Sequence, residues 1–254
     1  MTRVPILAYH EISPTPHPSY RKFTVTPDQF TRQVKWLARR GYRTISLDDL
    51  LEHRAGRRPL PPKPFIITFD DGCKSAAEHA AAILPKYGFS AIFYLVPAVI
   101  GSATTWARHR RYLPVIDWNM ARQLLSLGFA CGSHTLNHRR LAHVPPSECR
   151  EELERSRAVL QDGLGSDVVH LSYPHGSFNA DVRRMAEEAG YQTACTVEHA
   201  LSTTVDDLLA LPRVRPSGDE SFGNFTLRVR TGKPLQELLP RSIVSLAARI
   251  NRLL

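Results

Sequence analysis

From Val4 to Val214 the chain alternates short apolar runs with amphipathic stretches, an order that layered α/β architectures satisfy. Val4 to Tyr9 reads as a strand. Thr26, Pro27 and Gln29 spell a capping box with proline at the first helical position, Phe30, Val34 and Leu37 recur at helical spacing, and Gly41 stands where a C-terminal cap belongs. Arg43 to Ser46 is the next strand, followed by a helix from Leu47 and an Arg- and Pro-rich loop over 54–64. Phe65 to Phe69 is a compact apolar run suited to a strand buried on both faces. Beyond it come an Ala-rich helix closed by Gly88 and strands over 91–96, 129–133, 168–173 and 192–197. Helices over 117–127, 146–160 and 180–189 separate these strands, and a short last strand covers 211–214. Seven or eight strands alternating with helices point to a (β/α) barrel or a doubly wound sheet. No repeat or linker divides the pattern, so residues 1–234 are expected to form one domain.

The remaining residues, 235–254, place Leu238, Leu239, Ile243, Leu246, Ile250 and Leu253 on one helical face, with Arg241, Arg249 and Arg252 among them. Such a helix either packs on the same domain or lies on an anionic membrane surface. Loop 101–114 carries Trp106, Arg108, His109, Arg110, Arg111 and Tyr112, and loops of this length are often functional. A formal net charge of +9 favours anionic partners, among them a lipid-phosphate-linked sugar. Aromatic-flanked basic repeats of a nucleic-acid-binding module are missing, so nucleic acid is not an expected partner. Four cysteines stand far apart without a C-x-x-C pair, which suggests neither a zinc ribbon nor a disulfide framework. With no apolar stretch of signal-peptide or membrane-spanning length, the default expectation is a cytoplasmic protein, its tail being the route to a membrane surface.

Three polar clusters fall at the C-terminal ends of expected strands: Thr68-Phe69-Asp70-Asp71-Gly72, Ser133-His134-Thr135-Leu136-Asn137-His138, and Ser172-Tyr173-Pro174-His175-Gly176. Active sites of parallel β/α folds form at that edge, where loops from several strands converge. Adjacent carboxylates beside a buried strand repel one another and lose hydration, and a divalent metal would compensate directly. His134 and His138 are four residues apart, and a helical turn between them would bring both rings to one ion. One carboxylate with two imidazoles makes an open three-ligand site with a fourth position for water, the arrangement of a catalytic zinc. Such an ion acidifies its water and polarises a carbonyl, leaving the second carboxylate free as general base. Asp-Asp-Gly alone is often only a turn. Three such clusters at strand ends are far more specific.

The Thr-Phe-Asp-Asp-Gly, His-Thr-Leu-Asn-His and Tyr-Pro-His-Gly segments resemble the first three motifs of the polysaccharide deacetylase family, the NodB-homology or family-4 carbohydrate esterases. The similarity runs from about Val4 to Arg215. Leu7-Ala8-Tyr9-His10 and Leu211-Pro212-Arg213-Val214 also resemble the branch acting on exopolysaccharides such as poly-N-acetylglucosamine. The resemblance implies an irregular (β/α) barrel with about seven parallel strands, Asp70 as base, and Asp71, His134 and His138 as ligands of a divalent metal. Zinc is the leading metal, with cobalt or nickel as alternatives. The implied activity is removal of acetyl groups from N-acetylated sugars of a polysaccharide, oligosaccharide or lipid-linked glycan. An O-acetyl carbohydrate esterase and a non-catalytic carbohydrate-binding relic are the alternatives.

Two departures from the family pattern bear on mechanism. The third motif commonly begins with Arg and has an aromatic residue whose backbone N–H helps hold the oxyanion, whereas Ser172 and His175 stand here. The late Leu-x-His, whose histidine acts as general acid, reads Leu211-Pro212-Arg213, and an arginine cannot protonate an amine at neutral pH. His175 and His10 are the candidate acids, and His175 is also the candidate backbone donor to the oxyanion. Arg213 is left as a contact to a substrate phosphate or carboxylate, with Tyr173 and Pro174 as further substrate contacts. The other histidines, and Cys73 and Cys131, carry no motif and are expected to be structural or on the surface.

Overall fold

The computed structural model of the chain describes residues 1–106 and 112–238. Seven strands form its frame: β1 (Ile6–Tyr9), β2 (Arg43–Thr44), β3 (Pro64–Phe69), β4 (Ile92–Leu95), β5 (Ala130–Ser133), β6 (His170–Ser172) and β7 (Thr193–Cys195). They pair in parallel in the order β7-β6-β5-β4-β3-β1, with β2 joined to β3. Between and after them run α1 (Pro27–Arg39), α2 (Leu47–Arg54), α3 (Lys74–Ile83), α4 (Trp118–Ser126), α5 (Pro146–Leu164), α6 (Ala180–Glu188), α7 (Phe222–Thr231) and α8 (Leu235–Leu238). Thr26 and Ser46 close capping boxes with Gln29 and Asp49 at the starts of α1 and α2, and Asp117 and Asn179 cap α4 and α6.

The expected last strand over 211–214 is an extended segment with a closing role. On one side it bridges β7 through Cys195 and Leu211, and on the other it bridges β1 through Leu7 and Val214. Ala8 N–H donates to Val214 O at 2.9 Å, and Leu211 N–H donates to Ala194 O at 2.9 Å. The two ends of the curled sheet are thereby joined into an irregular barrel. Side chains alternate across such a wall. Ile6, Ile66, Ile92, Tyr94, Cys195 and Leu211 meet in a compact inner cluster, while Leu7, Ile67, Phe69, Phe93 and Ala194 belong to the larger core beneath the helices. The inward series Ile66, Thr68, Asp70 and the inward pair Leu211, Arg213 therefore converge at the C-terminal mouth of the barrel.

One helix had no counterpart in the sequence pattern. α7 buries only Phe225 and Val229, so its apolar stripe is too thin to stand out. It is held by the cap at Ser221 and by edge-to-face packing of Phe222 and Phe225 on Trp36 of α1. Of the expected helix over 235–254, Leu235–Leu238 is helical, and residues 239–254 lie outside the described residues. The Arg-rich stretch 107–111 also lies outside them. Among the described residues no helix is long and apolar enough to cross a membrane.

Candidate active site

Asp70 and Asp71 follow directly on β3, and both are buried. Asp71 adopts a left-handed backbone (φ 70°) with Gly72 after it (φ 63°), so the chain turns sharply and the two carboxylates diverge. A β-carbon on Gly72 would approach Leu95 Cδ2 to 3.2 Å, which leaves little room for any other residue. His134 and His138 follow β5. The helical turn envisaged between them is not formed: Thr135 and His138 are left-handed (φ 61° and 60°), and the loop folds back instead. Among the described residues five non-glycine positions have positive φ, and four of them are Asp71, Thr135, His138 and His175. Each costs about 1–2 kcal/mol, a concentration of strain that marks functional sites.

The fold-back brings the ligand atoms together. His134 Nε2 and His138 Nε2 lie 3.6 and 3.3 Å from Asp71 Oδ1, and the three potential ligand atoms all fall within 4.8 Å of one another. Donors placed about 2.0–2.2 Å from a tetrahedral ion stand about 3.4 Å apart, so the trio fits a zinc-like ion. His134 Nδ1 lies 2.7 Å from the Ser172 carbonyl, which can only accept, so Nδ1 carries the proton and Nε2 keeps its lone pair. Burial, reinforced by the His138 charge, pushes His134 down to about 4, so the ring is neutral and ready to ligate at pH 7. Tyr20 donates to Asp71 Oδ2 at 3.2 Å, leaving Oδ1 to face the two histidines. Burial opposes ionisation of Asp71, yet the hydrogen bond and charge of His138 hold it well below the usual carboxylate range. Trp106 stacks on His138, with ring centroids 4.0 Å apart.

Asp70 is bound differently. Arg213 Nη1 and Nη2 donate to its Oδ1 and Oδ2 at 2.8 and 2.7 Å, a bidentate fork among fully buried groups. Arg213 also reaches Thr68 Oγ1, Ser172 Oγ and the Thr196 carbonyl. Burial alone would raise the Asp70 carboxyl, but the Arg213 and His134 charges and the Arg213 hydrogen bonds outweigh it and hold the group at about 2. The expectation that Arg213 contacts a substrate anion is thus corrected, because all of its donors are taken within the protein. It supplies the cation that Ser172 does not. Tyr173 borders the cleft, but its side chain is buried, its hydroxyl donates to the Leu209 carbonyl, and its ring stacks on Phe178. Pro174 is likewise buried and is not among the residues lining the cleft.

His10 and His175 both line the cleft of about 540 Å³ above the Asp-His-His group. His10 Nδ1 is buried without a hydrogen-bond partner, and its ring lies 5.1 Å from that of Phe23. Burial lowers its pKa, Asp70 and Asp71 pull it upward, and Arg213 and Arg215 press it down again. His175 sits edge-on to His138 at 4.6 Å, and desolvation together with the His138 and Arg140 charges pushes it down to about 4. In its turn, Gly176 and Ser177 N–H donate to the Tyr173 and Pro174 carbonyls, bonds in which the His175 N–H takes no part.

The family model for polysaccharide deacetylases matches residues 57–194, more than half of the chain and the span that contains all three polar clusters. The chain belongs to the polysaccharide deacetylase family. Its members are hydrolases, and the chain is an enzyme of that class. Among relatives, the protein YxkH of Bacillus subtilis is 27% identical over 231 residues, covering 91% of this chain and 77% of its own. A poly-β-1,6-N-acetyl-D-glucosamine N-deacetylase of Staphylococcus aureus is 22% identical over 217 residues, covering 82% of this chain and 72% of its own. The deacetylase PplD of Streptococcus pyogenes, solved in complex with acetate, has the same fold: TM-score 0.78, 22% identity, 92% of this chain and 99% of PplD covered. Within this deacetylase fold, Tyr20 and the Arg213 fork are the site features that sequence reasoning missed. Tyr20 sits in a short 3₁₀ segment, Pro18–Phe23, that shows no motif. Arg213 was visible, but its partner is 143 residues away.

Proposed function

We propose that this chain cleaves the N-acetyl group of an acetamido sugar within a glycan, in a metal-dependent hydrolysis. The observation that carries this reading is a buried, arginine-clamped carboxylate, Asp70, beside the Asp71, His134 and His138 trio at the floor of one cleft. A divalent ion on that trio would polarise the acetyl carbonyl and acidify a water; zinc is the first choice, with cobalt or nickel as alternatives. Asp70 accepts the proton of the attacking water, its two oxygens aimed by Arg213. Held at about 2, it is a weak base, suited to a water that is already acidified. The free N–H of His175 is the candidate donor to the oxyanion. His10 is the candidate proton donor to the departing nitrogen: it lines the cleft with Nδ1 free of protein partners, and although burial lowers its pKa, Asp70 and Asp71 partly offset that shift, a compensation weaker at His175, which is pushed down to about 4.

A proton donor in the cleft favours amide over ester cleavage, because an amine leaves only when protonated. The substrate class proposed, an N-acetylated hexosamine polymer or oligomer, is supported by the substrate named for the staphylococcal relative. Zinc-loaded protein is expected to release acetate from N-acetylglucosamine oligomers, and chelation to abolish it. Asp70→Asn should lower the rate about 10³-fold while metal content is unchanged. Loss of metal in that variant, or no acetate from any acetylated glycan with metal bound, overturns the assignment.

A further inference from the structure

Residues 211–215 continue the extended segment that closes the barrel, so Leu211, Arg213 and Arg215 share one face. Arg213 uses that position to clamp Asp70. Arg215 lines the same cleft two residues on, with its guanidinium 4.8 Å from the centre of the Phe23 ring. Its Nε is buried and has no hydrogen-bond partner. The neighbouring carboxylate, Glu220, is taken by Arg228 at 2.7 Å and by the Ser217 N–H at 3.0 Å. Arg140, on the His175 side of the cleft, is likewise in no ion pair among the described residues. Asp70 and Arg213 cancel, and Asp71 belongs to the metal trio. What remains in the cleft is uncompensated positive charge from Arg215 and Arg140, with the metal adding to it. Burial and the nearby Arg228 and Arg213 press on the Arg215 charge, as expected for a cation whose anion is supplied from outside.

We propose that Arg215 is an anion-recognition residue and that the substrate glycan carries an oxyanion, carboxylate or phosphate, on or next to the acetamido sugar. The proposal rests on the deacetylase reading above and narrows its substrate from N-acetylated glycans in general to anionic ones. The planar guanidinium, pre-positioned on Phe23, offers a bidentate fork to either oxyanion. Arg140 adds charge at the opposite rim.

The test uses three sets of oligosaccharide matched in length: neutral N-acetylglucosamine oligomers, oligomers alternating N-acetylglucosamine with glucuronate, and N-acetylglucosamine units joined by phosphodiesters. Acetate release is measured with zinc-loaded wild type, Arg215→Gln and Arg215→Lys. Equilibrium binding of the same sets to zinc-loaded Asp70→Asn, with and without Arg215→Gln, needs no turnover. Wild type is expected to favour one charged set over the neutral one by about tenfold or more in kcat/KM, mainly through KM. The favoured set distinguishes carboxylate from phosphate. Arg215→Gln should lose the preference, Arg215→Lys should keep part of it, and added salt should erode it in the wild type. Equal use of neutral and charged sets by the wild type, or equal losses on all sets in Arg215→Gln, overturns the proposal and leaves the deacetylase reading intact. Arg215-dependent binding of a charged set without acetate release from any set overturns the deacetylase reading and leaves the anion site standing.

Discussion

Asp70 and Arg213 stand 143 residues apart in the chain and act as one unit because β3 and the 211–214 segment both flank β1. Removing the arginine leaves a buried carboxylate unpaired, at a cost of about 3–5 kcal/mol. Arg213→Met is therefore expected to lower the melting temperature and to move the acid limb of kcat/KM upward. The sign follows from the causes: with Arg213, Asp70 is held at about 2, below its ordinary value of 3.8, so the base stays ionised until the pH nears 2, and its stabilisation, full above 3.8, is lost as the pH falls from there to about 2. Without it, burial raises the group above its ordinary value and the base is lost at higher pH. An unchanged acid limb in Arg213→Met would show that the fork does not tune the base. His10 makes the opposite prediction: its proton is lost as pH rises, so His10→Gln should lower the rate and flatten the alkaline limb. An alkaline limb that survives in His10→Gln assigns the donor elsewhere. The clustering of Asp71, His134 and His138 was legible from residue types at strand ends. The clamp was not, because the arginine expected near Ser172 is supplied from across the barrel, a relation that no local spacing encodes.

At the scale of elements, the loop between His134 and His138 depends on α5. Glu152, buried on that helix, accepts from Asn137 N–H at 2.9 Å and from Asn137 Nδ2 at 2.7 Å, while its carbonyl accepts from Leu136 N–H. These bonds hold a loop that carries left-handed residues at Thr135 and His138, conformations unfavourable without support. Glu152→Ala is expected to weaken zinc affinity about 10–100-fold, as loss of a ligand-supporting contact does, with far-ultraviolet circular dichroism unchanged. Wild-type affinity in a zinc titration of that variant would remove α5 from the metal site. Strand positions along the chain and several helix starts could be read in advance because capping boxes and apolar runs are local. The loop could not: four-residue His spacing suits a helical turn, and only the backbone angles reveal a fold-back. α7 escaped notice for the reverse reason, since two buried residues make too weak a stripe and tertiary packing on Trp36 supplies the rest.

For the whole molecule, the proposed metal ligands come from two separate strand ends, Asp71 after β3 and the histidines after β5, so an ion bound there would tie distant parts of the barrel together and be linked to global stability. An ion that binds only the folded chain adds about 2.7 kcal/mol at one hundred times its dissociation constant. For a chain of this size that corresponds to about 5–10 °C in melting temperature. The gain must depend on pH, because only neutral histidine ligates. In the chelated protein His134 is held at about 4, below its ordinary value near 6.5. A histidine kept neutral by folding stabilises the native state fully above the unfolded value, and that contribution is lost as pH falls from about 6.5 toward 4. Melting with chelator should therefore show declining stability across that interval, His175 contributing in the same direction. With zinc at fixed concentration, the shift in melting temperature should be full near pH 7–8 and shrink as pH falls toward 4, where protons compete for His134. A zinc shift that is absent, or that stays constant from pH 8 to below pH 4, would sever the link between the buried trio and the ion and leave the strained loops of Asp71, Thr135 and His138 without their compensating ligand.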